Sequence, residues 1–159
     1  MVLQTTVLTQ AGIETGGAVS SALEHRANIL EMTQAAEETV LRPKDAGPWS
    51  HGLRAALAAR IAAHNQESDL AEHYAEGAEG YAALANPAED GAALELAEVV
   101  AFMDKVAAET RDVTAADVAD LQAAGVADAD IVRLAELNAF LAFQIRVIGG
   151  LRLMKDGFE

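Results

Sequence analysis

Cysteine is absent from the 159 residues of this chain. Disulfide bonds, thiolate nucleophiles, thiolate metal ligands and peroxidatic sulfur chemistry are therefore excluded by the covalent structure. Basic residues are scarce, since 11 lysines and arginines stand against 25 acidic residues and the formal net charge is -14. Such a charge repels phosphate backbones and anionic lipid, so we expect neither nucleic acid nor a membrane surface as a partner.

Aromatic residues, which favour strands, make up only 4% of the chain, whereas hydrophobic residues, mostly alanine and leucine, make up 52%. This composition favours helices, and the length is that of one domain, so we expect a single all-α domain over residues 1–159. The most apolar segment, residues 131–154, contains too many polar residues for a bilayer-spanning helix and is interpreted as a buried bundle helix. The first residues lack the pattern of a secretory signal, so we expect a cytoplasmic protein.

Local patterns predict a bundle of about six helices and no strand. Ser50 is a typical N-cap residue, and Thr114 with Asp117 forms a capping pattern before a short helix that Gly125 would end. The predicted core includes Leu23, Ile29, Leu30, Met32, Leu94, Val99, Phe102, Val106, Phe140 and Phe143. The predicted elements are a loose N-terminal arm over residues 1–17 and helices over 19–40, 50–64, 69–84, 92–108, 115–123 and 128–151.

Three stretches of the chain resemble one known family. They are residues 11–16 with 32–34 and 41–43, residues 53–74, and residues 113–151 with Gln144 and Arg146. In order and spacing they are similar to the carboxymuconolactone decarboxylase and alkylhydroperoxidase D (AhpD)-like family, in particular its peroxidase-related branch. The resemblance implies an AhpD-like helical bundle, a homo-oligomer that is a trimer or hexamer, and a small pocket near a break between two helices.

The catalytic residues of that family are not present in this chain. Its peroxidases carry a Cys-x-x-Cys-x-x-x-His motif and an upstream glutamate. The two cysteine positions fall on Glu67 and Leu70, the histidine position on Tyr74, and the glutamate position near Arg54 or Ala55. Thiol peroxidase and disulfide chemistry is therefore not carried over to this protein.

The remaining candidates for catalysis are His51, His64, Glu67, His73 and Tyr74. On one unbroken helix His64, Glu67 and Tyr74 would share a face and could transfer protons, but Asn65 argues against a continuous helix. Structural interpretations are also open: a helix-end histidine for His64, a first-turn acid for Glu67, a buried tyrosine with a bonded hydroxyl for Tyr74, and a surface or packing histidine for His51. The spacing of the histidines and Glu67 does not favour a metal site, and we expect no metal and no cofactor.

Three hypotheses follow for function. The first is an acid/base enzyme acting on a small, partly apolar lactone or keto acid, which requires a pocket with convergent polar groups. The second is a non-catalytic protein that binds a small hydrophobic molecule or supports a redox partner, which predicts an apolar pocket. The third is a structural homo-oligomer, which predicts a packed centre.

Overall fold

The computed structural model describes residues 4–14 and 16–157, and this part of the chain is all-α, with no strand. The predicted fold class is confirmed. Short 3-10 segments cover Glu79–Ala85, Ala92–Leu94 and Thr110–Asp112. The α-helices are α1 (Thr6–Gln10), α2 (Ala18–Glu24), α3 (Ala27–Leu41), α4 (His51–His64), α5 (Ser68–Ala75), α6 (Ala97–Ala108), α7 (Ala115–Ala123) and α8 (Asp128–Asp156).

Helix α4 lies at the centre of the bundle and contacts α3, α5, α6, α8 and the 3-10 segment after α5. Its sequence is rich in alanine, which lets neighbouring helices approach closely on all sides, and most of its residues are buried. The side chain of Ser50 accepts a hydrogen bond from the Leu53 amide at 3.2 Å, so the predicted helix start is confirmed. A Cβ at Gly52 would lie 3.1 Å from the carbonyl oxygen of Ala78, closer than most Cβ contacts, so this glycine lets α4 pack closely on the turn after α5.

The predicted break after α4 is confirmed. Asn65 caps α4, and Gln66 has a positive φ of 61°, which no α-helix accommodates. The helix predicted over 69–84 is correct only in its first half, because α5 ends at Ala75 and the chain then turns at Gly77. Glu79, with a φ of 42°, is the first residue of the 3-10 segment that follows.

The N-terminal arm, predicted to be loose over residues 1–17, is partly helical. Residues 1–3 and 15 lie outside the described part, but Thr5 caps α1, whose Val7 and Leu8 are buried. This helix contacts α8. The prediction was wrong here because five residues are too few to show a helical period. Contacts with α8 and hydrogen bonds from Thr6 to Gln34 and Glu37 of α3 stabilise this helix.

The helix predicted over 19–40 is interrupted at His25 and Arg26, so that α2 and α3 are separate. In α3 the buried face consists of Leu30, Thr33, Glu37 and Leu41. The predicted core residues Ile29 and Met32 are 47% and 66% exposed. A prediction from apolar residues alone identified the wrong buried face of α3, because two of the buried residues, Thr33 and Glu37, are polar.

The second half of the chain follows the prediction more closely. The capping pattern of α7 is present, and Gly125 has the left-handed φ of 88° expected after a helix end. Val99, Phe102 and Phe140 are buried and Val106 is partly buried, as predicted. Leu94 and Phe143 are instead 42% and 46% exposed, so their assignment to the core was wrong.

Helix α8 begins at Asp128 as predicted and extends to Asp156, a turn beyond the expected end. In the part of the chain that the structure describes, no helix combines the length and the apolarity needed to cross a bilayer.

Candidate functional site

Three of the five candidate residues line one surface cleft. The cleft has a volume of about 450 Å³ and lies where the end of α3, the start of α4 and the end of α5 meet. His51, His73 and Tyr74 all belong to it. We call it the His51 cleft, and its other lining residues are Glu37, Leu41, Arg42, Ala55, Glu76, Gly77 and Glu79.

One ring nitrogen of His51, which lines this cleft, is held by the loop before α4. Its Nε2 lies 3.0 Å from the carbonyl oxygen of Pro43. A carbonyl oxygen only accepts hydrogen bonds, so Nε2 carries a proton and donates it. In the neutral ring Nδ1 is then unprotonated, and it is the nitrogen able to accept a proton. The loop containing Pro43 thus sets the tautomer of His51.

The loop between α3 and α4 is held in place by Arg54. This buried side chain donates to the carbonyl oxygens of Trp49 at 2.9 Å, Val40 at 2.9 Å and Ala46 at 3.0 Å. Arg54 therefore stabilises the wall of the cleft, whereas its neighbour Ala55 lines it. Neither residue supplies the carboxylate that the resemblance places near this position.

Tyr74 connects the cleft to a chain of buried polar side chains. Its hydroxyl donates to Oε1 of Gln144 at 2.6 Å, and Nε2 of Gln144 donates to Oε2 of Glu37 at 2.7 Å. The hydroxyl of Thr6 donates to the other carboxylate oxygen of Glu37 at 2.8 Å. We call these four residues the Glu37 network; they join α1, α3, α5 and α8.

Sequence reasoning missed Glu37, although a signal was present. Glu37 follows Leu30 and Thr33 and precedes Leu41 at helical spacing, which places it on the buried face of α3. Its side chain is only 2% exposed. Gln144, for which the sequence predicted a partner if buried, is fully buried and bonded on both sides.

The phenol of Tyr74 keeps its proton in the folded protein. Burial is the main cause that raises its pKa far above the ordinary value of 10.0, and the nearby Glu37 carboxylate raises the pKa further. Tyr74 is therefore a hydrogen-bond donor and not a base. Because the donated proton goes to Gln144, the hydroxyl does not offer it to the cleft.

This raised pKa predicts a loss of stability at alkaline pH. Below about pH 10 the phenol is protonated in the folded and the unfolded chain, and its contribution is fully present. Above that pH the unfolded chain loses the proton while the folded protein retains it. We expect the difference in unfolding free energy between the native protein and Tyr74→Phe to fall by about 1.4 kcal/mol per pH unit above about pH 10. Urea titrations from pH 7 to 11 measure it, and a constant difference would contradict the prediction.

The charges of the His51 cleft are mainly negative. Its lining contains three carboxylates, those of Glu37, Glu76 and Glu79, and one guanidinium, that of Arg42. Arg42 already forms an ion pair with Glu38: its Nε donates to the Glu38 carboxylate at 2.8 Å, and a second hydrogen bond joins the same two side chains. The hydrogen bonds that Arg42 donates to Glu38 raise the pKa of Arg42, so the guanidinium stays charged.

Glu67 lies outside the cleft, at the start of α5. Nη1 of Arg152 donates to both of its carboxylate oxygens, at 3.0 and 2.7 Å, and Nη2 donates to the carbonyl oxygen of Gln10 at 3.1 Å. Glu67 thus forms an ion pair that ties the break before α5 to α1 and α8. The structure does not bring it together with His51, His73 or Tyr74 in one cleft.

His64 is also separate, at the end of α4. Its Nε2 lies 2.9 Å from Oδ1 of Asp104, close enough for an ion pair when the ring is protonated, although the orientation is not that of a hydrogen bond. The same oxygen accepts a hydrogen bond from Nε of Arg60 at 2.5 Å. The shared helix face proposed for His64, Glu67 and Tyr74 is absent, because the chain breaks at Gln66.

Among residues 4–14 and 16–157, no three histidine, aspartate or glutamate side chains come together in an arrangement that could hold a metal ion. Comparisons of this chain with protein-family models, with curated proteins and with solved structures found no match.

Proposed function

We propose that the protein is an acid/base enzyme that acts on a small, neutral carbonyl compound of the lactone class in the His51 cleft. The observation that carries the proposal is the tautomer of His51, whose Nδ1 is free while Nε2 is held by Pro43. A histidine with one nitrogen fixed and the other free is the usual arrangement of a general base. The volume of the cleft, about 450 Å³, is in the range of small-molecule sites.

The charge of the cleft favours a neutral substrate. A keto acid would bring its carboxylate close to Glu37, Glu76 and Glu79, and the net charge of the whole chain is -14. Arg42 already pairs with Glu38 and offers limited compensation. Of the two substrate classes considered from the sequence, the lactone is therefore the one that this lining supports.

The other two candidates have different roles in this proposal. His73 is exposed at the cleft beside Tyr74, with ring centroids 5.1 Å apart, and is available as the second proton-transfer group. Tyr74 is a positioning residue, because its hydroxyl is bonded to Gln144 and its ring forms part of the cleft wall. Neither role requires a metal or a cofactor.

We also propose that the chain is a cysteine-less relative of the AhpD-like family. Two features support this relationship: the all-α fold, and the break of three residues between α4 and α5 at the place where the resemblance puts it. Glu67, at the first cysteine position, is the N-cap residue of α5 and pairs with Arg152. The position that carries sulfur chemistry in the family thus holds an ion pair in this protein.

The alternative function is binding without catalysis. It is favoured by the internal bond of Tyr74, which leaves only the two histidines, of the three candidate residues in the cleft, able to transfer a proton there. The mixed lining supports a polar ligand in this case, rather than the wholly hydrophobic one considered from the sequence.

One set of measurements separates the two functions. A panel of neutral lactones is incubated with the purified protein, and both consumption and binding are followed. We expect His51→Gln to lower turnover by about a hundredfold with binding retained, since the glutamine amide can still donate to Pro43 but cannot act as a base. His25→Gln, which changes an exposed histidine at the end of α2, is the matched control. Binding without consumption by the native protein would leave only the alternative.

A further inference from the structure

Helix α8 carries two stripes of side chains, one facing the core and one facing solvent. The core stripe is buried and comprises Leu134, Leu137, Leu141, Gln144, Ile148 and Leu151. The opposite side forms what we call the outer stripe, in which the spacing alternates between four and three residues. All of its members are exposed: Val132, Glu136, Ala139, Phe143, Arg146, Gly150 and Leu153.

An alternating spacing of four and three residues is the pattern with which one helix packs along another in a coiled coil. The outer stripe extends over about 32 Å of the helix. Val132, Phe143 and Leu153, the large apolar residues of the outer stripe, are 55%, 46% and 75% exposed. Other residues of the same chain therefore cover these side chains only in part. A Cβ added at Gly150 would meet no atom within 4 Å, so the surface is open there.

The charges of the outer stripe indicate what covers it. Glu136 and Arg146 are ten residues apart, about 15 Å along the helix, and cannot pair with each other within one chain. Neither forms an ion pair with any residue that the structure describes. In a parallel pair of α8 helices each of these charges would meet its own copy and be repelled. In an antiparallel pair centred at residue 141, Glu136 lies opposite Arg146 of the partner subunit.

The same antiparallel register also matches side chains by size. Phe143 lies opposite Ala139 of the partner subunit, and Val132 lies opposite Gly150 of the partner subunit. Each pairing occurs twice because of the two-fold axis. We propose that the outer stripe of α8 binds the outer stripe of a second copy of this chain, in antiparallel orientation about an axis at the level of residue 141.

Charge exchange tests both the pairing and its direction. The full-length native protein should sediment at the mass of two chains and dissociate on dilution. Arg146→Glu and Glu136→Arg should each raise the dimer Kd by about thirtyfold, because two attractions become two repulsions. The double variant, which restores opposite charges with their positions exchanged, should return Kd to within about threefold of the native value. Circular dichroism checks that these exposed substitutions leave the fold intact.

The design excludes a general effect of charge. Arg146→Glu makes the chain more acidic and Glu136→Arg makes it less acidic, so net repulsion cannot weaken the dimer in both variants. Arg111→Glu, an equal change on the exposed segment after α6, is the matched control and should leave Kd unchanged. A native protein that is monomeric at about 1 mM, an assembly of three chains, or single variants that dimerise like the native protein would each overturn the proposal.

Discussion

Replacing Arg60 with methionine should lower the free energy of unfolding by about 4 kcal/mol. Arg60 is 2% exposed, and its guanidinium makes two bonds to Asp104, at 2.5 and 2.7 Å. It also donates to the carbonyl oxygens of Leu84, Asn86 and Pro87 at distances of 2.8 to 3.1 Å. Methionine keeps much of the apolar stem but leaves a partly buried carboxylate and these carbonyls without their donor. Urea denaturation followed by circular dichroism measures the loss.

Two controls make this prediction specific to the buried bonds. Arg111→Met removes an exposed arginine and should change stability by less than about 0.5 kcal/mol. A variant in which Asp104→Leu accompanies Arg60→Met should recover part of the loss, since the unpaired carboxylate is then gone. If Arg60→Met cost less than about 1 kcal/mol, the segment from Leu84 to Pro87 would be held by something other than this guanidinium.

Replacing Gln144 with leucine should lower the free energy of unfolding by about 3 kcal/mol. The side chain accepts from Tyr74 and donates to Glu37, and all three residues are buried. Leucine fills a similar volume but satisfies neither neighbour, so a phenol loses its acceptor and a carboxylate keeps only the hydroxyl of Thr6. The two groups left without a partner account for most of the expected loss. Thermal and urea denaturation at pH 7 measure it.

The losses within the Glu37 network should not be additive. A variant with Glu37→Leu, Tyr74→Phe and Gln144→Leu removes the buried polar groups together, and we expect it to be more stable than Gln144→Leu alone. Gln122→Leu, on the exposed side of α7, is the control and should be nearly neutral. A triple variant that loses the sum of its single losses would show that the network acts as independent bonds.

Some parts of this structure follow from local sequence. The start of α4 at Ser50, the capping of α7 and the left-handed turn at Gly125 were all predicted correctly. Each depends on contacts within about four residues, and such contacts are determined by the order of residue types alone. Composition was sufficient for the all-α class, because a chain rich in alanine and leucine and poor in aromatic residues favours helices throughout.

Other parts depend on contacts between distant segments. The spacing within α3 places Glu37 on the buried face, but its partner Gln144 lies 107 residues later in the chain. Ile29 and Met32 are apolar but exposed, because the face of α3 that packs on the rest of the protein is the one that carries Thr33 and Glu37. Residues 6–10 form α1 through their contacts with α8 and α3, and no local pattern predicts that helix.

The candidate site divides in the same way. The sequence by itself determined that the protein has no cysteine chemistry, that its helices break between His64 and Asp69, and that His51, His73 and Tyr74 were candidate residues. The tertiary structure alone decided which candidates meet, because it brings the end of α3, the start of α4 and the end of α5 together around one cleft. In the folded protein Glu67 forms an ion pair with Arg152, and His64 lies beside Asp104. Side-chain identity and spacing set the chemistry that is available, whereas the packing of helices brings together residues far apart in the chain, and that packing depends on the whole core.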